Sequence, residues 1–123
     1  MKKIIVLMLF AACTTNSKST TQDEELKALQ MQFNELVDIS NSMVCDEVSD
    51  WTFAPYGSKA CGGPQGFIAY SNKIDVASFL TMLEAYSKAE KAYNIKWEVF
   101  SDCSIPIAPS SIGCEDGKAV LIY

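Results

Sequence analysis

The chain has 123 residues, with fifteen acidic side chains against ten basic ones and a net charge of −5. All ten basic residues are lysine, and neither arginine nor histidine occurs. Acidic charge without arginine argues against nucleic acid, whose phosphates are met by Arg and Lys clusters, and against charge-driven binding to anionic headgroups. Without histidine there is no Ser-His or Cys-His pair, no His-ligated zinc and no imidazole acid–base group.

Lys2 and Lys3 open the chain, followed by the apolar run Ile4 to Phe10 and then Ala11-Ala12-Cys13. A positive start, a short apolar run and small residues before a cleavage point make a secretory signal peptide over residues 1–12. The run falls short of the ~20 apolar residues a membrane-spanning helix needs. Leu9-Phe10-Ala11-Ala12-Cys13 resembles a bacterial lipobox, with Phe10 where leucine is usual. The resemblance implies cleavage before Cys13, a diacylglycerol on its thiol and anchoring in a membrane of the cell envelope. Thr14, in place of an aspartate, favours the outer membrane. Residues 13–22 then form the lipidated cysteine and a polar tether. Loss of Lys2 and Lys3 makes the mature chain more acidic still.

Residues 23–123 are enough for one domain. A first helix is expected from about Gln22 to Asn41: Asp23, Glu24 and Glu25 suit the positive end of its dipole, and Leu26, Leu29, Phe33, Leu36 and Val37 recur at helical spacing. Ser42 to Gly66 is loop-rich. Within it Trp51 to Ala54 reads as a short strand, and Trp51, Phe53 and Tyr56 are either core or binding anchors. Asp46, Glu47 and Asp50 lack the spacing of a calcium loop. Cys61-Gly62-Gly63-Pro64-Gln65-Gly66 lacks the Lys-Ser/Thr and following helix of a phosphate loop. Phe67 to Tyr70 reads as a strand. A second helix follows, with Asp75 as N-cap, Ile74 and Phe79 as a staple, and Asn94 as terminator. Ile95 to Phe100 alternates and reads as a strand, and Asp116-Gly117 signals a hairpin turn between Ile112–Cys114 and Ala119–Tyr123. The sum is an α+β domain: a small antiparallel sheet with two helices on one face, held by two disulfides.

Beyond Cys13 the cysteines are Cys45, Cys61, Cys103 and Cys114. An even number in an exported domain predicts disulfides, with three pairings open; short closures favour Cys45–Cys61 and Cys103–Cys114. No C-x2-C pair marks a zinc site, and no metal or cofactor is expected. In the second of these rings Ile105 and Pro106 sit on a stiff apolar loop, which is either a structural connection into the hairpin or a presented loop of the design that protease inhibitors use.

The run Trp51 … Gly57-Ser58-Lys59-Ala60-Cys61-Gly62-Gly63-Pro64 … Ala69-Tyr70-Ser71, with Ser101-Asp102-Cys103 and Cys114 to Lys118, is similar to a group of small lipoproteins of Bacteroidetes-type bacteria. The similarity implies envelope location and disulfides, and no catalytic residue. The expectation is a lipid-anchored, non-enzymatic domain binding a protein or other envelope ligand. The alternative is an inhibitor of a secreted hydrolase, a protease or lysozyme, presenting the 103–114 loop.

Overall fold

A computed structural model describes residues 19–123. The signal peptide, Cys13 and most of the tether therefore lie outside the described residues. The helix α1 spans Gln22–Ser40. Thr21 caps it, and Glu24 reaches back to the Thr21 amide to complete a capping box, so the last two residues assigned to the tether belong to the helix start. The strands β1 (Trp51–Tyr56) and β2 (Gly66–Ser71) pair antiparallel, from Trp51 opposite Ser71 to Tyr56 opposite Gly66. Pro55 is tolerated because each strand of this two-stranded ladder has a free edge. The helix α2 spans Val76–Lys96, capped by the Asp75 carboxylate on the Ser78 amide. The strands β3 (Ser111–Glu115) and β4 (Lys118–Ile122) form a hairpin whose turn places Asp116 and Gly117 at φ 49° and 76°, as a two-residue primed turn requires.

The fold is α+β, as expected, and its strands divide into two ladders rather than one sheet. Alternation along β1 and β2 explains the layering. Ala54, Tyr56, Ile68 and Tyr70 face the helices, where they join Leu29, Leu36, Phe79, Leu83 and Tyr86. Trp51, Phe53 and Ala69 face the other way and pack with Cys45, Ile112 and Cys114 beneath the β3–β4 hairpin. The first ladder is thus the middle of three layers, with both helices on one face.

Two expectations need correction. The disulfides are Cys45–Cys114 and Cys61–Cys103, not the two short closures. Loop-closure entropy rises only slowly with length, so short sequence separation carries little weight against proximity in the fold. Here the Cys45 amide donates to the Gly117 carbonyl at 2.8 Å, which holds Cys45 against the hairpin that carries Cys114. The segment Ile95–Phe100 is not a strand. Ile95 and Lys96 complete α2, beyond the expected stop at Asn94. The helix ends in a Schellman motif: Glu98 adopts the left-handed conformation (φ 49°) and the Val99 amide donates to the Asn94 carbonyl at 3.0 Å. A glutamate fills the position usually held by glycine, which hides the stop from the sequence.

Candidate functional site

The loop between β1 and β2 sits on the C-terminal half of α2. The Gly57 amide donates to Ser87 Oγ at 2.9 Å, the Ser58 amide to Glu90 Oε1, and Asn94 Nδ2 to the Ser58 carbonyl at 2.7 Å. Gly57 is required on two counts. Its φ is +77°, and an added Cβ would stand 2.7 Å from Glu90 Oε1. Glu90 also accepts from the Tyr86 hydroxyl at 3.2 Å; burial, followed by this carboxylate, pushes the Tyr86 pKa upward. Further along, Lys59 and Gly62 close a tight turn, with the Gly62 amide on the Lys59 carbonyl at 2.9 Å.

This loop meets the segment that follows α2. Cys61 bridges to Cys103, and its amide donates to Ser101 Oγ at 3.3 Å. Lys59, whose side chain is only 12% exposed, directs its ammonium to Asp102 Oδ1 (3.0 Å), the Ser104 carbonyl (2.7 Å) and Ser104 Oγ (2.9 Å). Asp102 also accepts from the Ser104 amide and hydroxyl. The Lys59 ammonium, then the two Ser104 donors, hold the Asp102 carboxyl at a pKa of about 2, well below the usual aspartate range. The three hydrogen bonds of the Lys59 ammonium all go to residues 102 and 104. The cluster is a clamp that fixes the chain at residues 101–104.

From this clamp the chain runs to Ser110, whose amide donates to the Ile122 carbonyl at 2.7 Å. Between these two fixed points Ile105 and Ile107 are 87% and 78% exposed, while Pro106 is half-buried and Pro109 buried. Phe100, just before the clamp, is 96% exposed.

The aromatic candidates are placed differently. Trp51 is buried beneath the hairpin, out of reach of a partner. Phe53 stacks edge-on against Phe67 at 5.9 Å, and Tyr56 packs against Phe33 at 4.8 Å. Ile105 and Pro106 remain on the exposed segment. Sequence reasoning gave no role to Lys59, Asp102 or Phe100, while Ile107 fell within the 103–114 loop it singled out. The available signal was the position of Lys59 and Asp102 beside Cys61 and Cys103, which becomes a pair once the bridge is known. Among the described residues no group of three or more Cys, Asp or Glu side chains stands together to hold a metal. Asp50 instead pairs with Lys73 at 2.9 Å. No helix among the described residues is long and apolar enough to cross a membrane. Comparison with family models, curated proteins and solved structures returned no match to this chain.

Proposed function

We propose that this protein is a lipid-anchored module of the bacterial cell envelope that binds a protein partner through the exposed segment Ser104–Ala108, without catalysis. The observation that carries the reading is the combination of exposure and restraint. Ile105 and Ile107 are presented to solvent on a segment held by the Lys59 clamp and the Cys61–Cys103 bridge at one end and by Ser110 on β4 at the other. A preformed segment loses less conformational entropy on binding than a mobile one. The lipobox-like run ending at Cys13 supports anchoring, with the outer membrane favoured by Thr14. Several acyl chains hold a protein at a membrane without a spanning helix, because each buried methylene contributes about 0.8 kcal/mol.

The test is site-specific photocrosslinking in the native bacterium. A photoreactive residue at Ile105 is expected to yield one discrete adduct, lost on Ile107→Asp, with no adduct from the same probe at Val44. A probe at Ile105 that yields only the uncrosslinked chain refutes the binding reading.

A second reading is supported by the run Ile105-Pro106-Ile107: inhibition of a secreted hydrolase. The loop is not a ring closed on itself, since Cys103 and Cys114 go to Cys61 and Cys45, yet it is restrained at both ends. A panel of secreted proteases and lysozyme, assayed with micromolar protein, separates the two readings. Inhibition abolished by Ile105→Asp supports the inhibitor, and full activity throughout removes it for those enzymes.

A further inference from the structure

We infer that the anchored domain makes a second contact with the lipid surface, inserting Phe100 and Ile95 at the end of the molecule where the anchor arrives. The inference rests on the lipid-anchor reading proposed above. Three observations lead to it.

The first is placement. Thr21 caps the start of α1, and one turn later Glu25 receives the Lys96 ammonium and, at 2.8 Å, the Trp97 indole N–H. The Lys96 bond, then those of the Thr20 hydroxyl and the Trp97 indole, hold the Glu25 carboxyl at a pKa of about 2. The bonds from Lys96 and Trp97 pin the start of α1 to the end of α2, so the turn Glu98–Phe100 stands where the chain enters the domain. Leu26 of α1 and Val99 line one groove, which joins the same two segments again.

The second is exposure. Phe100 is 96% and Ile95 70% exposed. Ile95 lines a cleft of about 420 Å³ with Lys59 and Gly62, which places it beside the clamp that Phe100 precedes. The turn is rigid: the Schellman bond fixes Val99, and Ser101 is held by the Cys61 amide.

The third is reach. Cys13 and Thr21 are eight residues apart, a separation that no chain of that length can stretch beyond about 29 Å. A lipid on Cys13 therefore keeps this end of the domain near the membrane. The opposite end, beyond Ser40, is separated from this one by the length of α1, about 28 Å. Asp23, Glu24 and Glu98 are exposed at the anchored end. Lys27, Lys91 and Lys96 are exposed there as well, so the charges are mixed and the contact rests on apolar side chains, in the manner of an interfacial rather than a spanning segment.

The experiment uses the full chain purified with its lipid, whose intact mass is measured first. It is reconstituted into phosphatidylethanolamine vesicles carrying brominated acyl chains, as wild type, Phe100→Trp and Val44→Trp. Val44 is 71% exposed and follows the far end of α1. After subtraction of the wild-type emission, the indole added at position 100 is expected to lose about half its emission to the brominated lipid, the depth of an interfacial contact. It should resist iodide in the aqueous phase, and added salt should change neither result. The indole added at position 44 should behave oppositely. A lipid-bearing mass with equal iodide quenching at both positions overturns the inference and leaves the anchor reading standing. Exclusion of both quenchers from position 100 also overturns it, because a second copy or another part of the chain then covers Phe100. A mass without lipid removes the anchor reading itself.

Discussion

The two ends of this molecule each carry a disulfide, and the two bridges work against different backgrounds. Cys45 is 3% exposed and sits with Trp51, Ala69 and Ile112 in a packed apolar cluster. Cys61 and Cys103 are both exposed, and around them stand Lys59, Asp102, Ser101 and Ser104. At the buried end apolar packing and the covalent bond act together. At the exposed end the bond and a set of polar contacts give shape to a segment whose isoleucines, Ile105 and Ile107, find no apolar packing. One covalent device therefore serves a core in one place and a presented surface in the other.

The sharpest way to break this comparison is to remove one large aromatic from each end. Trp51→Ala is expected to destabilise the fold by about 3–5 kcal/mol, through lost burial and the cavity it leaves. Phe100→Ser should stay within about 0.5 kcal/mol of wild type. Urea denaturation of both variants measures the difference, and comparable losses would erase the distinction.

Next come the bridges themselves. On the chain-entropy view, loops closed over separations of 69 and 42 residues each stabilise by about 4 kcal/mol. The paired change Cys45→Ala/Cys114→Ala should show nearly all of that. Cys61→Ala/Cys103→Ala should show clearly less, because its exposed segment recovers freedom in the folded state as well as the unfolded one. Hydrogen exchange over residues 99–108 should then accelerate while the helices stay protected. Equal shifts of the urea midpoint would contradict this.

Smaller again is Gly57→Ala, which forces a side chain into φ +77° and toward Glu90; about 2 kcal/mol is expected. The smallest effects concern the polar clamp. Lys59→Met should leave the urea midpoint near wild type yet speed proteolytic cleavage between residues 100 and 108. Acid should act in the same direction. The folded-state pKa values of Asp102 and Glu25 are depressed from 3.8 and 4.5 to about 2. Their contributions are thus fully present above those ordinary values and fade as pH falls toward 2. Loosening of the clamp and of the α1–α2 contact should set in below about pH 4, followed by hydrogen exchange at residues 23–26 and 100–105.

Local chemistry was legible in the sequence and long-range geometry was not. The Asp75 cap, the α1 stripe through Leu29 and Leu36, and the Asp116-Gly117 turn each depend on neighbours within a few residues, and each stands where expected. The pairing of Cys45 with Cys114 depends on how the hairpin packs under β1, which no local pattern records. The alternation of Ile95, Trp97 and Val99 suggested a strand, whereas Trp97 closes α2 and bonds Glu25 from 72 positions away. At the site, Ile105 and Pro106 were visible as a stiff apolar loop. The Lys59 clamp beneath them was not, because its partners lie 43 and 45 positions downstream.

The order of the bridged cysteines, 45, 61, 103 and 114, nests one ring inside the other. A single backbone cut between Cys61 and Cys103 leaves the two pieces joined by both bridges. A cut in the exposed stretch between Cys103 and Cys114 leaves them joined by Cys45–Cys114, the buried bridge. An exposed apolar segment is open to proteolytic nicking. Here the nick changes the chain count without releasing a fragment, and the nicked form runs as one species until a reductant is added.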